Sequence, residues 1–277
     1  MSAPDTAEAT IPQLRISAER EAGIAGADGA QVVYKLRFAL GDEAGEARVH
    51  IPAGRVPVAG LVPVFQFLTD TLVYAAQRVT EQQGRTIACG PGCAACCHQA
   101  VPVGEAEVLH LAMVVGAMAP PQQAKCRARF ERVMAELRAA GLLARAHEIV
   151  AAGGDEQAEH ELAVDYFAQK LACPFLDEGS CSIYAHRPLR CREHVVASPP
   201  ERCMDPELEA PEGVLGLRKA SPLLYRFGDG RGGDRVRCVL LPESLEWVAR
   251  HRHVAPATFP GPVMFENYLR ALLGSTP

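Results

Sequence analysis

Eight of the chain's ten cysteines fall in two short stretches, 89–97 and 173–203, and this clustering constrains the fold more than any other feature. The first stretch reads Cys89-Gly-Pro-Gly-Cys93-Ala-Ala-Cys96-Cys97-His98. Gaps this short let the backbone turn around one centre and aim several sulfurs at it. Gly90, Pro91 and Gly92 suit such a turn, because glycine admits positive φ and proline pre-sets φ. Ala94 and Ala95 leave room for close backbone approach. Buried core cysteines are common, but that reading does not account for four thiols in one glycine-rich loop. Cys96 and Cys97 are adjacent and can point apart, so one could serve a second centre or none.

The second stretch runs from Cys173-Pro-Phe-Leu through Cys181 to Arg187-Pro-Leu-Arg-Cys191-Arg192, with Cys203 twelve residues further on. Cys173 to Cys181 encloses a hairpin-like loop with Asp177, Glu178 and Gly179 at its tip. Ile183–Arg190 reads as a short helical turn. Two groups far apart in sequence, joined by helices, are what a fold needs to clamp one cofactor or two. Arg187, Arg190 and Arg192 flank Cys191. They would offset thiolate charge and lower the thiol pKa values, or equally form a solvated, salt-bridged face.

Compartment bears on the cysteines. The N-terminus has neither a basic n-region nor an apolar h-region, so no secretory signal is expected. No run of eighteen apolar residues exists, so no transmembrane helix and no membrane partner are expected. The expected location is the cytoplasm, where clustered cysteines bind metal or catalyse more often than they pair. A net charge of -5 argues against a nucleic-acid partner.

Around the cysteines the pattern is mixed. Residues 1–12 read as a disordered N-terminus. Val32, Tyr34, Leu36 and Phe38 alternate with Val33, Lys35, Arg37 and Ala39, the period of a half-buried strand. With strands from Leu14 and at Ala47–Ile51, residues 13–60 form a small antiparallel β region. Glycines 23–29 read as a hairpin turn, not a nucleotide-binding one. Leu61–Gln83 is the first helix, with Phe65, Leu68, Leu72, Ala76 and Val79 on one face. Helices follow at Glu105–Met118, Gln122–Ala140, 142–151 and Asp155–Lys170, with Asp155 as N-cap. Residues 195–220 look irregular. Leu223–Phe227 and Arg235–Leu241 read as a C-terminal hairpin around Gly228–Asp234. Glu243–His251 and Met264–Leu273 close the chain. The class is α+β, helix-dominant, with a helical cysteine-cluster domain over 61–277.

Taken together, Cys93-x-x-Cys96-Cys97, Cys173-Pro-Phe-Leu and Cys181-x-Ile-Tyr-x-x-Arg187-Pro-x-x-Cys191-Arg192 resemble the YkgJ-type CxxCxxCC cysteine-cluster family. The resemblance is strongest over 85–195. Three residues, not two, separate Cys89 from Cys93, and His194 stands where an aromatic residue is common. The family is described as a zinc- or iron-chelating domain, with members often labelled Fe–S oxidoreductases. It is related to flagellin lysine N-methylase, which implies methyl transfer to a protein lysine as a second possible activity.

The metal ligands expected are Cys89, Cys93, Cys96, Cys97, Cys173, Cys181, Cys191 and Cys203. Both zinc and iron–sulfur centres use four thiolates, so spacing leaves the number of centres open. An iron–sulfur cluster is favoured over zinc, because the resemblance points there and because two groups enclosing a helical segment could shield a cluster. Its role would be structural or electron-transferring. A protein-modifying enzyme with a structural centre and a metal-handling protein are the alternatives, and a protein partner or protein substrate fits each. His98, His186 and His194 are secondary ligand candidates. Cys126 and Cys238 read as core cysteines. Glu105 and Glu107 suit the start of a helix and carry no acid–base role.

Overall fold

Alternating apolar and charged residues build the first part of the chain into a sheet. The computed structural model describes residues 13–21, 23–26, 29–204, 209–227 and 237–274. The expectation for 1–12 lies outside them. Strands β1 (Leu14–Arg20), β2 (Ile24–Gly26), β3 (Gly29–Leu40) and β4 (Glu43–Pro52) form one antiparallel sheet. β3 is its spine: β1 and β2 pair along one edge and β4 along the other. Ile24–Gly26 pairs with Gly29–Gln31, so the glycines at 23–29 do flank a hairpin.

The two faces of the sheet differ as a period of two requires. Val32, Tyr34, Leu36, Val49 and Ile51 are buried against α1 (Val62–Gln82) and α9 (Gly261–Leu273). The opposite face carries cross-strand ion pairs, Lys35–Glu46 at 2.9 Å and Arg37–Glu19 at 3.3 Å. These are exposed and contribute little to stability. Sheet, α1 and α9 thus share one core, in which Phe65 stacks on Tyr268 with ring centroids 4.0 Å apart.

The expected apolar face of α1 is found: Phe65, Leu68, Leu72, Ala76 and Val79 are all buried. By length and composition Val58–Gln82 is apolar enough to cross a membrane, yet 61% of its most apolar window is buried inside the protein. The helix serves here as the central pillar of the core.

β5 (Arg55–Pro57) pairs with β10 (Thr258–Pro260) and brings the C-terminal helix to the sheet. After the first cysteine loop, β6 (Pro102–Gly104) leads into α2 (Glu105–Gly116). α3 (Pro120–Ala139), α4 (Leu142–Ala151) and α5 (Glu156–Ala168) follow. Asp155 caps α5 as expected, accepting from Ala158 N at 2.8 Å. α3, α4 and α5 bury Val133, Leu137, Leu143, Leu162 and Tyr166 in a second apolar cluster. A third joins α2 and α3 to Phe175, Ile183 and Leu241.

The expected C-terminal hairpin is corrected. Residues Ser221–Arg226 form a short helix, α7, with proline in its first turn, a position where proline favours a helix start. Leu224 thereby reaches the main core. β9 (Cys238–Leu240) pairs with β6, not with 223–227. The turn at 228–234 lies outside the described residues. α8 (Ser244–His251) and α9 complete the chain. The class is α+β with helix dominant.

At the start of α9 the helix crosses β4 closely. A Cβ on Gly261 would lie 2.2 Å from Pro52 O and 3.1 Å from Ile51 Cγ2. Gly261→Ala is therefore expected to destabilise the fold by about 1–3 kcal/mol, lowering Tm by roughly 2–4 °C per kcal/mol in a chain of this size. Gly116→Ala, which meets nothing within 4 Å, is the control and should leave a thermal melt nearly unchanged.

Candidate metal centre

Two tight turns shape the first cysteine group. Cys93 N donates to Gly90 O at 3.1 Å, across Gly92 at φ +90°. Ala95–His98 is a single 3-10 turn, in which Cys97 N donates to Ala94 O at 2.9 Å. Helical hydrogen bonds cannot hold so short a piece alone, and the loop takes its support from elsewhere.

The second group begins with a two-residue hairpin, β7 (Leu176–Asp177) and β8 (Ser180–Cys181). Glu178 at φ +48° and Gly179 at φ +76° form its turn. Positive φ at both central residues matches the twist of the flanking strands, so the loop expected from Asp-Glu-Gly is found. Arg129 on α3 braces it, donating to Pro174 O at 2.8 Å and to Asp177 Oδ1 at 2.9 Å. A 3-10 turn at Tyr184–His186 and the short α6 (Leu189–Glu193) follow, and α6 carries Cys191.

One main-chain hydrogen bond joins the groups directly: Cys173 N donates to Cys97 O at 2.7 Å. Around this contact Cys93, Cys96, Cys97, Cys173, Cys181 and Cys191 all line one cavity of about 70 Å³. Its remaining wall is largely apolar, with Val101, Tyr166, Phe175, Ile183 and Leu241, and among the described residues Arg187 adds the one cation. Cys93 is exposed at the rim, and the other five are partly buried.

The other expected ligands stand apart from this lining. Cys89 and Cys203 both approach His194: Cys203 Sγ lies 3.5 Å from His194 Nε2, and Cys89 Sγ lies 3.8 Å from His194 O. Cys89 Sγ also accepts from Val196 N at 3.3 Å. His186 packs against His110, ring centroids 5.9 Å apart. His98 closes the 3-10 turn without lining the cavity. Cys126 is fully buried on α3, as expected, whereas Cys238 is only partly buried. Among the described residues no three His, Cys, Asp or Glu side chains converge on one point as they stand. The donors share a wall, not a closed coordination sphere.

Electrostatics in the cavity pull in two directions. Burial pushes Cys173 up to about 12, helped by the neighbouring Cys181 and Cys96 sulfurs. Burial, then Cys173, Cys96 and Cys181, raise Cys191 well above an ordinary thiol. Burial raises Cys181 too, and takes Cys203 up to about 11. Opposing this, nearby main-chain N–H groups favour the thiolates: those of Phe175 and Leu176 at Cys173, and that of Ile183 at Cys181. Arg187 further favours the thiolates of Cys96 and Cys181. The neighbouring Cys97 thiol favours the Cys96 thiolate, and Cys96 in turn, together with burial, holds Cys97 well above an ordinary thiol. Soft sulfur donors with N–H groups nearby and a guanidinium in the same wall suit a thiophilic cation such as zinc or iron. The donor set therefore fits a metal centre chemically.

Arg187 and Arg192 resolve the two readings of the arginines. The Arg187 guanidinium lies over the Tyr184 ring at 4.1 Å, and its buried Nε has no hydrogen-bond partner. Arg192 is buried, pairs with Asp70 and donates to Arg187 O at 2.8 Å. The first faces the thiols, and the second fixes the loop that carries it.

A buried carboxylate frame also holds the site, and sequence reasoning missed it. Glu107 on α2 is 1% exposed and accepts from Leu189 N at 2.8 Å, the first residue of α6. Its other oxygen takes the Gly104 N–H at 3.4 Å. A carboxylate placed three residues after Gly104 is the sequence signal of such a cap. Glu193, at the other end of α6, accepts from Ser221 N at 2.9 Å and Ser221 Oγ at 2.7 Å. Gln66 on α1 donates to the carbonyls of His186 and Arg187, both at 3.2 Å. Each of these bonds positions the segment 186–193.

Residues 88–207 match the CxxCxxCC family model, described as a "putative zinc- or iron-chelating domain". This is the family whose motif the cysteine spacing resembles, and the match supports metal binding by the cysteine cluster. No curated protein and no solved structure matches the chain.

Removing the Glu107 carboxylate should loosen α6. Glu107→Ala leaves Leu189 N–H and Gly104 N–H without acceptors, at about 1–3 kcal/mol for each buried orphan, and chemical denaturation should show a lower midpoint. A pH effect accompanies it. Burial raises the Glu107 carboxyl to about 7 in the fold, above its ordinary value of about 4. Its stabilising protonation is complete below the unfolded value and is lost as pH rises through about 7. Glu107→Gln should flatten that part of the stability–pH profile.

Proposed function

We propose that Cys93, Cys96, Cys97, Cys173, Cys181 and Cys191 hold the metal centre, and that it is an iron–sulfur cluster in preference to zinc. The observation that carries this reading is six thiols from two distant segments on the wall of one cavity. Zinc and an iron–sulfur cluster each take four thiolates, so six sulfurs are enough for either centre. The apolar half of the wall is what favours a cluster, because exclusion of solvent sets its properties. Such a cluster, when bound, takes up or releases single electrons.

The chain's own residues supply the rest. Arg187 offsets the negative charge that thiolates bring into a partly buried site. Main-chain N–H groups of Phe175, Leu176 and Ile183 near Cys173 and Cys181 favour their thiolates. Cys89 and Cys203, gathered around His194, are the outer donors of the same region. The setting we propose is the cytoplasm, where free thiols persist.

Purification without oxygen, with iron, zinc and acid-labile sulfide measured, tests this. The expected product is brown, with stoichiometric iron and sulfide and visible absorbance lost on exposure to air. Cys181→Ser combined with Cys191→Ser should abolish metal content, while Cys126→Ala keeps it. A colourless protein with stoichiometric zinc overturns the cluster and leaves the site standing. Full metal content in the double variant overturns the site.

A further inference from the structure

A second cavity shares no lining residue with the thiol cavity. It forms where the 3-10 turn Val58–Leu61, the first turns of α2, and α8 with the turn after it meet. Its volume is about 470 Å³, within the range of small-ligand sites. The floor is apolar: Val58, Ala59, Ala106, Leu109, Trp247 and Val248. Trp247 is the chain's one tryptophan, and its ring stacks on His251 with centroids 4.0 Å apart. That stack is held by His251 Nδ1, which donates to Trp247 O at 2.8 Å.

The polar groups lie at the mouth, and their charges do not cancel. Glu105 faces Arg237 at 3.6 Å, so this acid and this base neutralise each other. Arg252 also lines the cavity. Its Nε donates to His253 Nε2 at 3.3 Å. Among the described residues no carboxylate pairs with it, in contrast to Arg250, which pairs with Glu243 and Glu246. Val254 beside it is 69% exposed, an apolar side chain at the rim. An apolar floor under a guanidinium that has no carboxylate partner among the described residues suits one ligand chemistry: an anion with an apolar body.

We propose that this cavity binds a small-molecule carboxylate bearing an apolar chain, of the medium-chain acyl type. The carboxylate takes the Arg252 guanidinium, whose planar fork matches two carboxylate oxygens. The chain lies along Val58, Leu109 and Val248 against the ring of Trp247. The site is independent of the metal centre, and the two can fail separately.

Titration of the full-length protein with decanoate tests this, read by Trp247 emission and, in parallel, by calorimetry. The expected result is saturable one-to-one binding at sub-millimolar concentration, with emission changing as the ring is covered. Decan-1-ol and acetate, each lacking half of the ligand, should bind at least about tenfold more weakly. Arg252→Ala removes an exposed side chain and should leave the fold intact while weakening decanoate about tenfold. The proposal is overturned if neither method shows saturation below the millimolar range. It is equally overturned if decan-1-ol matches decanoate, or if Arg252→Ala binds as the unaltered chain does.

Discussion

Thiols crowded on one small, partly apolar cavity repel one another as they ionise, and burial opposes the ionisation of Cys96, Cys97, Cys173, Cys181 and Cys191. The Cys173 thiol, carried up to about 12, and the Cys191 thiol, higher than an ordinary thiol, record both effects. A cation removes both penalties at once, because it replaces the proton and screens one sulfur from the next. Main-chain N–H groups near Cys173 and Cys181, and the Arg187 guanidinium near Cys96 and Cys181, act in the same direction. Those groups favour thiolate over thiol. The cavity is therefore arranged for bound thiolates, not for six neutral thiols.

This arrangement rests on scaffolding that makes little use of the cysteines. Cys191 sits on a five-residue helix, too short to hold itself in water. Glu107 receives the start of that helix and Glu193 ties its end to Ser221. Gln66 reaches from α1 to the two carbonyls just before it. α1 is in turn fixed by the sheet and α9 through the shared apolar core. The N-terminal sheet thus reaches the site through α1, although no residue of the sheet lines the cavity. Arg129 on α3 does the same work for the hairpin that carries Cys181.

Much of this was legible from the chain, and the parts that were not have physical reasons. The strand over 32–38 and the helix from 61 to 83 announce themselves by period, and the observed elements differ only at their ends. The Asp-Glu-Gly turn was legible because a two-residue hairpin demands residues that accept positive φ. Residues 223–227 read as a strand because four apolar or aromatic residues around Arg226 carry no decisive period. The signal that matters there is Ser221-Pro222 at a helix start. At the site, spacing singles out eight cysteines, and it does not separate Cys89 and Cys203 from the six that line the cavity. Glu107 was read as a residue suited to a helix start, and it is one. That its second oxygen serves a helix beginning eighty-two residues later is long-range information, which no local pattern holds. Arg187 and Arg192 share a sequence neighbourhood and have opposite surroundings for the same reason.

The frame of the centre is held by bonds that do not involve sulfur. The contacts of Glu107, Glu193, Gln66, Arg129 and Arg192 run between buried or partly buried side chains and main chain, and none passes through a sulfur. The bond from Cys173 N to Cys97 O uses backbone only. Three apolar clusters surround the region. Small zinc modules differ: they lack a core and fold only when metal arrives. In this chain the sulfurs line walls that apolar packing and these hydrogen bonds also support, so a metal centre is one support of the region among several.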